Sequence, residues 1–141
     1  MDLYKWYKAE RRLYLHHIPL LPMLIKTSIR IIWGGVIPYQ AEIGEGTILG
    51  YQGLGVVIHK KSKIGKNCII RQHVTLGGGG GPEGGLPILG DFVNVGANSV
   101  ILGNVHIGNH VDIGANSVVL QDLPDNCVAV GAPARVVKIK D

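Results

Sequence analysis

Residues 88–119 read ILGDFVNVGANSVILGNVHIGNHVDIGANSVV, and their spacing decides the fold. Branched apolar residues stand at Leu89, Val95, Ile101, Ile107, Ile113 and Val119, and most are followed by Gly. An α-helix needs apolar spacings of three and four, and a hairpin sheet alternates continuously. A period of six fits neither. It fits a short flat strand closed by a sharp corner, with three such hexads making one triangular coil. Coils of this kind stack, so that equivalent side chains form ladders inside a prism. Four residues after each apolar position sits a second small or branched one, such as Val93, Ser99, Val105, Val111 and Ser117. These suit the tight corners, where Gly or Asn tolerates left-handed backbone angles.

The pattern extends upstream through Ile58, Ile64, Ile70 and Leu76, with Ser62, Cys68 and Val74 in the second position. It extends further to Ile43 and Leu49, with Thr47, after a three-residue phase shift around Gly53-Leu54-Gly55. Twelve hexads in register predict an all-β fold, a left-handed parallel β-helix, over residues 38–141. Parallel crossovers are otherwise right-handed, and this repeat is the known type of exception. A glycine-rich loop, residues 77–87, interrupts it.

Residues 1–37 read as a short helical N-terminal segment. Tyr4, Trp6, Tyr7, Leu13 and Tyr14 interleave with basic residues, and Pro19 and Pro22 break the run. Leu21, Leu24, Ile25, Ser28, Ile29 and Ile32 then share one helical stripe, which Gly34-Gly35 ends. The run is too short for a membrane span and carries Lys26 and Arg30. One reading packs this helix on the main body. A second lays it in a membrane interface as a basic, Trp-bearing amphipathic helix.

Composition agrees with a turn-rich prism. The chain has 21 Gly and a single Phe, with 46% hydrophobic and 17% charged residues. The net charge of +4 suits an anionic partner. The basic residues are scattered and no nucleic-acid motif appears, so no nucleic-acid partner is expected. Cys68 and Cys127 have no metal or redox spacing and read as buried small hydrophobes, so no metal is expected. No disulfide framework or cleavable leader is visible, which makes a cytoplasmic location the expectation.

Four segments carry a resemblance: Val74-Thr75-Leu76-Gly77-Gly78, Val95 to Gly103, Ile113 to Val119, and Gly131-Ala132-Pro133-Ala134-Arg135-Val136. From about Val36 to Val137 the chain resembles the serine acetyltransferase branch of the hexapeptide-repeat acyltransferases and its short polysaccharide O-acetyltransferase relatives. The resemblance implies acetyl-CoA as co-substrate. It also implies a homotrimer whose active sites lie between subunits. On the family pattern Gly96-Ala97 and Gly114-Ala115 give main-chain contacts to pantetheine, and Arg135, with Lys138 and Lys140 nearby, meets the CoA phosphates. Serine acetyltransferases have Asp-His where this chain has Gly50-Tyr51, and Arg-His-Pro where it has Gly85-Leu86-Pro87.

Acetyl transfer to an alcohol needs a base for the hydroxyl proton, donors for the oxyanion and exclusion of water. No nucleophile elbow or Cys–His pattern points to an acyl-enzyme, so direct transfer is expected. His59 is the first candidate base. It takes the place of a corner Gly and precedes Gly77 by one coil of eighteen residues. The alternative for His59 is a surface histidine bonded to its own turn. His73 is the second candidate, on the same prism edge as Tyr51. Tyr51 fills the slot of the family's catalytic histidine and serves as a hydrogen-bond donor to substrate or to His59. His16, His17, His106 and His110 lie outside this constellation. Gly77 and Gly78 begin a loop whose bare N–H groups suit a lip over the CoA arm. Tyr51, Gln52 and Glu83 are the candidate acceptor contacts.

The leading expectation is an O-acetyltransferase acting on a hydroxyl of a sugar or polysaccharide precursor. The alternatives are a serine O-acetyltransferase and a non-catalytic β-helix binding or scaffold protein.

Overall fold

The computed structural model describes residues 2–79 and 84–141, so Glu83 lies outside the described residues. Two helices, α1 (Leu3–Leu15) and α2 (Leu21–Trp33), precede a left-handed parallel β-helix of about four turns. Asp2 caps α1 by accepting from the Tyr4 N–H, and Gly34 ends α2 at a left-handed φ of 68°.

The strands fall on three faces. Face I holds β3 (Val57–Ile58), β6 (Thr75–Gly77), β9 (Val100–Leu102) and β12 (Val118–Val119). Face II holds β1 (Glu42–Ile43), β4 (Lys63–Ile64), β7 (Ile88–Leu89) and β10 (His106–Ile107). Face III holds β2 (Ile48–Leu49), β5 (Ile69–Ile70), β8 (Asn94–Val95) and β11 (Asp112–Ile113), and ends in β13 (Cys127–Val130) and β14 (Arg135–Ile139). All pairings are parallel except β13 with β14, which closes the column with a hairpin. The register is that of the hexads: Ile58 lies beside Leu76, and Leu76 beside Ile101.

All twelve apolar hexad positions are buried, and so are the nine second positions named above. Cys68 and Cys127 are both fully inside, as free thiols. Two hydroxyls in the second position offset their desolvation by donating to carbonyls of the next coil, Thr47 Oγ1 to the Gly65 oxygen at 2.9 Å and Ser99 Oγ to the Gly114 oxygen at 2.8 Å.

One expectation about the corners changes. The left-handed residue is not the Gly that follows the internal apolar residue. It is the residue two further on: Asn67, His73, Phe92, Asn98, His110 and Asn116 all have positive φ. The glycines beside the ladders serve spacing instead. A Cβ on Gly65 would run into the Gly90 carbonyl of the coil above.

The N-terminal helices dock on the first coils through Leu3, Tyr7 and Ile29, which are buried. Tyr7 donates its hydroxyl to the Ala41 oxygen at 2.6 Å, and Arg11 holds the carbonyls of Tyr39, Gln40 and Ala41. The expected α2 stripe is only partly used in packing. Ile29 is buried and Ile25 half-buried, but Leu21, Leu24 and Ile32 are exposed, because α1 and the column cover only one side of the helix. Among the described residues no helix is long and apolar enough to cross a membrane.

Candidate functional site

Three corners occur in each coil, so every residue that follows a strand is assigned to one of three long edges. The edge from face III to face I collects most of the candidate residues. Tyr51 and Gln52 follow β2, His73 precedes β6, Gly96 and Ala97 follow β8, and Gly114 and Ala115 follow β11. Backbone bonds stack these corners in order: Asn116 N–H on the Ala97 oxygen (2.9 Å), Asn98 N–H on the Gln72 oxygen (3.1 Å), and His73 N–H on the Leu54 oxygen (2.9 Å). His73 therefore continues the row of Asn98 and Asn116 by one coil, as Gln72 continues that of Ala97 and Ala115, with the Tyr51 turn beyond it.

The Tyr51 turn is unusual. Gly50–Gly53 forms a tight 3-10 turn in which Tyr51 (φ 48°) and Gln52 (φ 56°) are both left-handed. Two adjacent side-chain-bearing residues in this region store strain, on the order of 1–2 kcal/mol each. The helices hold the turn. Trp33 Nε1 donates to Gln52 Oε1 at 2.5 Å, and the Leu3 side chain fills the space above Gly53. Tyr51 itself is 75% exposed and points away from this support.

The extra length of this corner also makes room for His73. A Cβ on Gly55 would overlap the His73 ring, so the ring lies directly over bare glycine backbone. His73 is exposed, and its ring makes no hydrogen bond among the described residues.

His59, Gly77 and Gly78 lie on a different edge, from face I to face II. The His59 N–H donates to the Leu76 oxygen at 2.9 Å, which sets His59 beside Gly77 as the eighteen-residue spacing predicts. A shallow groove of about 350 Å³ on face I runs between Val36, Pro38, Val57, His59, Thr75 and Gly77. The Lys61 N–H donates to His59 Nδ1 at 3.2 Å, so His59 is bonded to its own turn. A neutral imidazole that accepts at Nδ1 carries its proton on Nε2 and is a donor there.

Within one chain, then, the candidates form two groups on opposite edges of face I. Tyr51 and His59 of one chain lie on different edges of face I, with no hydrogen bond between them. Arg135 and Lys138 are exposed on β14, at the far end of face III, and Lys140 is tied to Asp112 at 2.9 Å. His106 faces Asp122 on the surface, and His110 stacks on Phe92 with ring centroids 4.7 Å apart. Burial raises the thiol pKa of Cys68 and of Cys127, which keeps both unreactive. No group of three or more His, Cys, Asp or Glu suited to a metal ion occurs among the described residues.

The sequence alone gave no sign of Trp33 as a support for Gln52, since nineteen residues separate them. Gly55 was visible only as part of the phase shift, without its relation to His73.

The family model described as bacterial transferase hexapeptide (six repeats) matches residues 87–121. The serine acetyltransferase of Synechococcus elongatus is 43% identical over 126 residues, covering 89% of this chain and 51% of the relative. Soybean serine acetyltransferase complexed with serine superposes with a TM-score of 0.86 at 37% identity, over 96% of this chain and 56% of that one. A serine acetyltransferase in complex with CoA gives 0.86 at 32% identity, over 96% and 55%. The chain spans about half the length of the relatives it matches. Repeat, register and these likenesses agree: the chain belongs to the hexapeptide-repeat acyltransferase superfamily and is serine acetyltransferase-like.

Proposed function

We propose that this chain is an acetyl-CoA-dependent O-acetyltransferase that works at the edge between faces III and I, with His73 as general base. One observation carries the reading: His73 continues the row of Asn98 and Asn116 by one coil, one residue beyond the row of Gly114-Ala115 and Gly96-Ala97. A pantetheine arm that follows that row delivers its thioester to His73 and the Tyr51 turn. The arm's phosphates then fall toward Arg135 and Lys138.

His73 takes precedence over His59 for a reason of protonation. A base must offer a lone pair, and the His59 lone pair at Nδ1 is already used by the Lys61 N–H. Both ring nitrogens of His73 are free of such bonds among the described residues. In the reaction the acceptor hydroxyl gives its proton to His73 as its oxygen attacks the thioester carbonyl. The C–S bond then breaks, and the thiolate recovers the proton from the imidazolium. Tyr51 is suited to donate to the acceptor or to the oxyanion. Both thiols are buried, so neither is placed to form an acyl-enzyme, which supports direct transfer.

Completion of the site needs a second copy. The face I to face II edge of a neighbour, with His59, Gly77 and Gly78, is the natural cover for the exposed III–I edge, in keeping with a homotrimer. Serine is the first acceptor to consider, because the relatives are serine acetyltransferases and one is complexed with serine. The expectation of a saccharide acceptor draws no support from these relatives.

The test is CoA-thiol release with L-serine and, separately, with sugar acceptors, beside calorimetric titration of acetyl-CoA. Acetyl-CoA binding with serine-dependent turnover supports the reading. Binding without turnover on any hydroxyl compound favours the scaffold alternative.

A further inference from the structure

The first coil carries a second groove, of about 450 Å³, which acetyl transfer does not use. It lies at the start of face II, roofed by Tyr14 at the end of α1 and floored by Gln40 and by Lys60, Lys61, Ser62 and Lys63.

Three lysines, Lys60, Lys61 and Lys63, line it within four residues, together with the carboxylate of Glu42. Lys63 pairs with Glu42 at 3.6 Å, but both side chains are more than half exposed, so the pair binds weakly. Lys60 and Lys61 have no ion-pair partner among the described residues. At the floor, Gln40 Oε1 and Ser62 Oγ are buried and have no hydrogen-bond partner among the described residues. Ser62 stands out among the internal hydroxyls. Thr47, Ser99 and Ser117 each donate to a backbone carbonyl, whereas Ser62 does not. Clustered cations beside an unused hydroxyl form a site for an oxyanion. Lysine supplies point charges rather than a planar fork, which suits the spread charge of phosphate. The volume exceeds what a bare ion fills, so the phosphate is part of a larger molecule.

CoA is not that molecule on the reading above, because its phosphates are assigned to Arg135 and Lys138 at the opposite end of the column. We propose that this groove binds a phosphate monoester or diphosphate group carried by a ligand other than CoA. Lys60 also lines the His59 groove, so the two grooves meet across one edge and the ligand reaches the catalytic face.

Calorimetry with pyrophosphate as the probe tests this on the whole chain. The expected result is saturable binding that weakens at least tenfold in Lys61→Ala/Lys63→Ala, with acetyl-CoA affinity unchanged. Glu42→Gln, which removes the competing carboxylate, tightens pyrophosphate severalfold. Absent binding, equal binding in wild type and both variants, or displacement of pyrophosphate by CoA overturns the proposal. Failure of acetyl-CoA to bind, with pyrophosphate still bound, would count against the acetyl-transfer reading instead.

Discussion

Trp33 and Gln52 are joined by a hydrogen bond from the indole Nε1 to Oε1, at 2.5 Å. The bond ties the last residue of α2 to a turn with two consecutive left-handed residues. The N-terminal helices thus brace the corner that presents Tyr51. Trp33→Phe preserves most of the edge-on packing against Trp6, where centroids are 5.5 Å apart, and removes only the bond. The expected cost is about 1 kcal/mol, read as a fall of a few degrees in Tm. An unchanged Tm would show that the turn holds itself.

Gly55→Ala tests the contact beneath His73. The new methyl meets the imidazole, and the position has a φ of 64°, which disfavours any side chain. Destabilisation of about 1–3 kcal/mol is expected by denaturant titration. Because the ring must move, kcat falls while acetyl-CoA affinity, measured by calorimetry, stays the same.

Glu10 gives a pH dependence of stability. Its carboxyl is fully buried with no hydrogen-bond partner, and desolvation pushes its pKa up to about 8, against a smaller opposing effect of Lys26. The folded chain therefore keeps a proton that the unfolded chain releases near the ordinary value of 4.5. Stability is highest below that value, declines as pH rises, and levels off above about 8. Glu10→Gln removes this decline. Parallel Tm–pH curves for the two proteins would contradict the account.

Arg135 is exposed on β14, as is Lys138, and both are proposed to meet the CoA phosphates. Loss of a charge-assisted contact to phosphate is worth about 1.5–3 kcal/mol, so Arg135→Ala raises the acetyl-CoA Kd roughly tenfold or more. An unchanged Kd places the phosphates elsewhere.

The column was legible because two residues in six must be buried, and Ile58, Leu76 and Ile101, with Ser62, Val74 and Val105, show that constraint directly in the sequence. The register followed from spacing alone, and so did the place of His59 beside Gly77. Less was legible at the corners. Left-handed φ falls on His73 and Phe92 as readily as on Asn, so residue type does not mark the position. The bond of His59 to its own turn is local and was among the readings the sequence allowed, whereas the support of Gln52 by Trp33 and the seat of His73 over Gly55 arise from chain segments that meet only after folding. The exposed side of α2 was hidden for the same reason: a stripe records which residues are apolar, not what covers them.

Steady-state thiol release with His73→Gln and His59→Gln, on the same acceptor, tests the central claim most directly. The account expects His73→Gln to lower kcat by about 10²–10⁴-fold with acetyl-CoA affinity intact, and His59→Gln to have a much smaller effect. Full activity in His73→Gln, with loss in His59→Gln, would contradict it.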